Sequence, residues 1–118
     1  FAPAGREPQR DYVAATRRVI LSNDPRAIAA AARGMAQRQD FTPRLGEIRV
    51  PTLVLVGTED AISTAEEMRS IASAVPGSRL MEIAGAGHMT PLEKPAEVTA
   101  ALAEFLREIS ESGRATGS

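Results

Sequence analysis

The sequence predicts an α/β fold: a strand, a helix and a second, parallel strand, preceded by two helices and closed by a carboxyl-terminal helix. Three observations predict it. The apolar pattern changes from helical spacing in the first forty residues to the unbroken run Leu53-Val54-Leu55-Val56. Such a run with β-branched members suits a strand covered on both faces, as in parallel sheets. A second strand-like stretch, RLMEIA at 79–84, follows after a capped amphipathic segment, and a helical apolar stripe returns from Pro95.

Taken in order, residues 8–21, PQRDYVAATRRVIL, set Tyr12, Val13, Thr16, Val19 and Ile20 at helical spacing. Pro8 stands at a permitted first-turn position and Ser22-Asn23 ends the segment. Asp24-Pro25 offers a cap and a first-turn proline to a second helix, with Ile28, Ala31, Ala32 and Met35 on one face and an end near Arg38. Gly34 weakens that helix by about 1 kcal/mol relative to Ala. Residues 41–49, FTPRLGEIR, carry Pro and Gly and read as connector. Pro51 is tolerated because it precedes the first strand, which Gly57 closes. In STAEEMRSIASAV, Ser63 or Thr64 caps and Glu66 or Glu67 reaches back, so Met68, Ile71, Ala72 and Val75 face inward until Pro76-Gly77 stops the helix. The last helix runs from Pro95 to about Ile109 with Val98, Ala101, Leu102, Phe105 and Ile109 on its apolar face. Residues 111–118, ESGRATGS, are small and polar and read as a disordered tail. The expected division is a helical segment over 1–40, a strand-helix-strand-helix unit over 41–110, and the tail.

Composition narrows the partners. Fourteen basic and 15 acidic side chains leave a net charge of −1, so no cationic excess is available for nucleic acid or an anionic membrane. Without Cys there is no disulfide, thiolate nucleophile or thiolate-bound metal in this chain. The apolar runs are shorter than a membrane span, and FAPAGREPQR lacks the order of a signal peptide, which points to a cytoplasmic protein. Phe1 in place of Met reads as an amino end that is not a translation start.

Two parallel strands joined by a helical crossover send their following loops to one edge of the sheet, where open α/β folds bind ligands. Each loop here carries one candidate: Asp60 lies four residues past Val56, and His88, the only histidine, lies four past Ala84. Neighbouring strands about 4.8 Å apart would bring carboxylate and imidazole within hydrogen-bonding reach, through His88 Nδ1. That pair is a general base held by an orienting anion. It lacks a nucleophile, because none of the serines stands in a G-x-S-x-G turn; Ser78 in PGSRL comes nearest, with the wrong flanks.

The stretch VPTLVLVGTED, the capped helix, the strand and loop PGSRLMEIAGAGH, and PLEKP together resemble the carboxyl-terminal half of the α/β-hydrolase fold superfamily, nearest to the lactonase and esterase branch that includes 3-oxoadipate enol-lactonases. The likeness covers roughly residues 48–109, with 10–40 similar to the end of the helical cap and the helix before the acid strand. It implies a partial α/β-hydrolase fold, with Asp60 as triad acid and His88 as triad histidine. The loop reads DAIS where the family often has Pro, and the half that carries oxyanion loop and nucleophile is not in this sequence. The function implied is hydrolysis of a small carboxylic ester or lactone by a complete enzyme, this chain alone being inactive, with no cofactor or metal. Partners expected are the amino-terminal half of the fold or a second copy, docking on an exposed strand edge. The alternative is a non-catalytic binding or oligomerisation module that kept the scaffold.

Several residues have plainer readings. Glu59 is a rival to Asp60 but suits a solvent-facing position, and Asp60 itself resembles a helix cap, a duty Ser63 and Thr64 already fill. Gly85-Ala86-Gly87 is not a dinucleotide fingerprint, since the third glycine position is Thr90; its glycines suit the turn that presents His88. Arg17, Arg18, Arg33 and Arg38 read as solvated helix faces. Ile62 and Met89 flank the candidate pair and are possible pocket lining, with Met as a core filler the competing reading.

Overall fold

The computed structural model describes residues 1–3 and 11–115, and side chains as far as Ser112. Helices α1 (Asp11–Ser22) and α2 (Pro25–Ala36) come first, then a 3-10 turn, Thr42–Glu47. Strand β1 (Leu53–Gly57), helix α3 (Ala65–Ala74) and strand β2 (Arg79–Ile83) form the crossover unit, and α4 (Thr90–Glu93) and α5 (Pro95–Ala115) complete the chain. Among the described residues the sheet has two strands, parallel, with Leu53 opposite Arg79 and Gly57 opposite Ile83.

The predicted elements form where the local chemistry directs them. Asp24 caps α2 by accepting from the Arg26 amide at 2.8 Å, with Pro25 in the first turn. Thr64, not Ser63, caps α3: its hydroxyl accepts from the Glu67 amide at 3.3 Å while Glu67 accepts from the Thr64 amide at 2.8 Å. The part of the first predicted helix around Pro8 lies outside the described residues.

Three elements differ from expectation. The connector holds a 3-10 turn with Pro43 in its first turn, braced by the Arg44 guanidinium on Glu47 at 2.9 Å. Residues 90–93, after the histidine, make the short helix α4. The last helix does not stop near Ile109 but continues to Ala115, so part of the expected disordered tail is helical. Its last turns hold no proline, the Ser110 hydroxyl bonds back to the Leu106 carbonyl at 2.9 Å, and Arg79 of β2 pairs with both Glu104 and Glu108. Residues 116–118 lie outside the described set.

Alternation along the strands puts the helices on opposite faces. Leu55 and Ile83 pack with Val98 of α5 and with Ala86, whereas Val54 and Val56 point the other way, the side on which Glu82 meets Arg69 of α3 at 2.6 Å. Apolar burial is narrow: among the described residues Ala2, Val54, Val56, Val75, Ile83, Ala86, Val98 and Ala101 are the buried hydrophobic ones. None of the residues of α1, α2 or α3 is fully buried. Contact between the rings of Phe1 and Tyr12, 5.1 Å between centroids, joins α1 to the first residues of the chain.

Candidate active site

Both loops that leave the carboxyl ends of β1 and β2 are stitched together before they deliver their side chains. The Thr58 amide donates to the Ile83 carbonyl at 3.0 Å and the Glu59 amide to the Ala86 carbonyl at 2.9 Å, while the Gly85 amide donates to the Thr58 hydroxyl at 3.0 Å. These bonds continue the parallel ladder past the last strand residues, so the two loops are one unit. Gly85 takes φ +66, a conformation glycine adopts without cost, and turns the chain back over the end of β1. There the backbones touch: a Cβ at residue 57 would lie 2.2 Å from the Ala86 carbonyl oxygen, so only glycine fits.

The structure brings Asp60 and His88 together. His88 Nδ1 lies 3.0 Å from Asp60 Oδ2, the carboxylate side chain being 6% exposed and the imidazole 43%. The contact forms although the register that suggested it is different. Along the ladder, Gly57 faces Ile83, so the residue level with Asp60 is Ala86, and His88 comes two positions later. The turn at Gly85 takes up those two residues and bends the loop back toward Asp60.

Asp60 also holds its own loop. Its Oδ1 accepts from the Ile62 amide at 2.8 Å and the Ser63 amide at 3.0 Å, so the turn it holds and the histidine contact use different oxygens of one carboxylate. Burial pushes the Asp60 carboxyl up, but the Ile62 and Ser63 amides and the His88 imidazole outweigh it and hold the group below its ordinary 3.8. The acid is therefore ionised at neutral pH, facing the nitrogen it orients.

The remaining candidates sit apart from that pair. Glu59 is exposed, and only its amide enters the loop network. Ile62, 72% exposed, lines an open groove with Thr42, Ser63, Met68 and Ile71, a groove that has no residue of the His88 loop in its lining. Met89 is half-buried and stands at the start of α4. Sequence reasoning passed over Glu93 and Thr90. The Thr90 hydroxyl donates to the Gly87 carbonyl at 2.7 Å, and Glu93 accepts from the Gly87 amide at 3.2 Å, one residue before the histidine. Their signal was the spacing of PLEKP from His88, which puts one helical turn directly after the loop.

What this arrangement does chemically is to fix an imidazole through one nitrogen and leave the other available for proton transfer. Comparison with known proteins bears on the family and the fold. The model of the Alpha/beta hydrolase family matches residues 1–102. Among curated proteins, the polyketide synthase ThaQ of Burkholderia thailandensis is 34% identical over 116 residues, 98% of this chain but 6% of ThaQ. Epoxide hydrolase A of Mycobacterium tuberculosis is 45% identical over 60 residues, 50% of this chain and 19% of that protein. Among solved structures, a thermophilic esterase from Thermogutta terrifontis superposes with a TM-score of 0.85 at 43% identity, over 91% of this chain and 39% of the esterase. The enol-lactonase from Burkholderia xenovorans superposes with a TM-score of 0.55 at 34% identity, over 58% of this chain and 26% of its own. The chain thus spans well under half the length of each of these proteins.

Proposed function

The chain belongs to the alpha/beta hydrolase family, and from that premise we propose that it supplies the acid, Asp60, and the histidine, His88, of a hydrolytic triad acting on a small carboxylic ester or lactone. The observation that carries the reading is the 3.0 Å contact between Asp60 Oδ2 and His88 Nδ1 at the carboxyl edge of a parallel sheet. With Nδ1–H donating to the carboxylate, the lone pair of Nε2 takes the proton of an attacking hydroxyl and returns it to the leaving oxygen. Asp60 stays ionised and steadies the imidazolium formed between those steps. No serine of this sequence lies in a G-x-S-x-G turn, so the nucleophile and the oxyanion donors come from a companion part of the fold, and the isolated chain has no hydrolytic activity of its own. The companion docks on the open edge of the sheet. Ester chemistry is supported by the likeness to the esterase, 43% identical with a TM-score of 0.85 over 91% of this chain.

The test is turnover of an activated aryl ester, a lactone and an epoxide, by the chain alone and by the complete enzyme that contains it. The expected result is hydrolysis of ester or lactone by the complete enzyme, abolished by His88→Ala, and no turnover by the chain alone beyond that of free imidazole. Activity that survives His88→Ala, or an exclusive preference for the epoxide, would overturn the reading.

A further inference from the structure

Glu93 stands where three parts of the molecule meet. Its Oε1 accepts from the Gly87 amide at 3.2 Å and its Oε2 accepts from the Ala2 amide at 2.7 Å. Ala2, 1% exposed, lies directly on Gly87: a Cβ at residue 87 would fall 2.3 Å from the Ala2 nitrogen. The Gly87 carbonyl is held as well, by the Thr90 hydroxyl at 2.7 Å, and the Ala86 carbonyl before it by the Glu59 amide at 2.9 Å. Thus the residue immediately before His88 is held at both its amide and its carbonyl, and one carboxylate ties it to the first residues of the chain.

We propose that Glu93 is a positioning residue for His88: a two-pronged clamp that presses residues 1–3 onto Gly87 and so sets where the imidazole meets Asp60. The inference rests on the triad reading for its purpose, but not for its geometry. A half-buried carboxylate that accepts two backbone amides makes charge-assisted bonds, roughly twice as strong as neutral ones. Removing it leaves two amides of a packed loop without acceptors, a loss larger than that of one ordinary hydrogen bond. Because Gly87 carries no side chain to pack, those bonds and the overlying Ala2 are what hold its backbone in place. The direct consequence is on His88, the next residue, whose ring is tethered by its hydrogen bond to Asp60.

The sole histidine makes the test unambiguous, because one imidazole resonance reports the site. The full chain is labelled with ¹⁵N, and two quantities are read: the downfield Nδ1–H proton of His88 and the hydrogen-exchange rate of the Gly87 amide. In Glu93→Ala, Gly87 exchange is expected to rise by about tenfold or more and the Nδ1–H signal to be lost by exchange broadening. Glu93→Gln keeps the shape and one acceptor but turns a donor toward the other amide; it is expected to show a smaller rise and serves as the readout should Glu93→Ala not fold. Glu97→Gln, a charge change one turn along α5, is expected to move neither. Slow Gly87 exchange in folded Glu93→Ala, or equal changes in Glu97→Gln, would overturn the clamp. Failure of the triad reading looks different: turnover by the complete enzyme that survives His88→Ala, with Gly87 exchange still governed by Glu93.

Discussion

Asp60 divides its two oxygens between its own loop and His88, and that division predicts how each substitution behaves. Asp60→Asn retains a carbonyl oxygen for the Ile62 and Ser63 amides, but offers His88 either a competing donor or a weaker neutral acceptor. The imidazole then loses the anion that selects its Nδ1–H form. In the complete enzyme kcat is expected to fall by about 10²- to 10⁴-fold with little change in KM, measured with the preferred ester. The same residue gives a pH dependence with a definite sign. Its folded pKa is depressed below 3.8, so its stabilising contribution is complete above that value and is lost as pH falls through the folded pKa. The difference in urea midpoint between wild type and Asp60→Asn is therefore expected to shrink as pH falls below about 4. A difference that grows as pH falls from about 4 would contradict the depressed pKa.

At the scale of elements, the loops depend on one close approach and one cap. Gly57 has ordinary strand geometry, so its need for glycine comes from the Ala86 carbonyl 2.2 Å from where a Cβ would stand. Gly57→Ala must push the His88 loop off the end of β1, and is expected to cost about 3 kcal/mol in chemical denaturation, the upper end of overpacking penalties. Thr64→Ala removes the hydroxyl half of the capping box and is expected to cost about 1 kcal/mol by the same measurement. These two features also mark what was legible in the sequence. The crossover unit could be read because each part has a local cause: an apolar run, a cap three residues before a glutamate, a glycine stop. The pairing of Asp60 with His88 was legible as shared loops at one sheet edge. Its register was not, since a positive-φ turn at Gly85 that takes up two residues leaves no periodic trace. Glu93 was missed for a related reason. Its partners are backbone amides at Gly87 and Ala2, 91 residues away in the second case, and main-chain donors carry no side-chain signature.

The whole molecule shows a surface too large for its mass. A closed monomer of 12.5 kDa exposes about 6200 Å², whereas this chain exposes 8640 Å². Its radius of gyration, 17.3 Å, exceeds the roughly 13.5 Å of a compact chain of this length. The excess is partly apolar: Val19, Ile20 and Leu21 of α1 and Ile28 and Met35 of α2 are each at least half exposed. Among the described residues, the two parallel strands have no further strand along their outer sides, which leaves a template for another chain. An uncovered area of roughly 2400 Å² is what a large stable interface buries. The chain by itself is therefore expected to self-associate, its sedimentation coefficient rising with concentration. Co-expression with the companion part of the hydrolase fold is expected to replace that association with a single boundary of defined mass. The paired change Ile28→Lys with Met35→Lys separates the two surfaces. If the helix face drives association, the double variant sediments as a monomer; if strand pairing drives it, association persists and is accompanied by increased β signal in circular dichroism. A wild-type chain that sediments as a monomer at every concentration would show that this surface is stable in water as it stands, and would remove the physical reason for a docking companion.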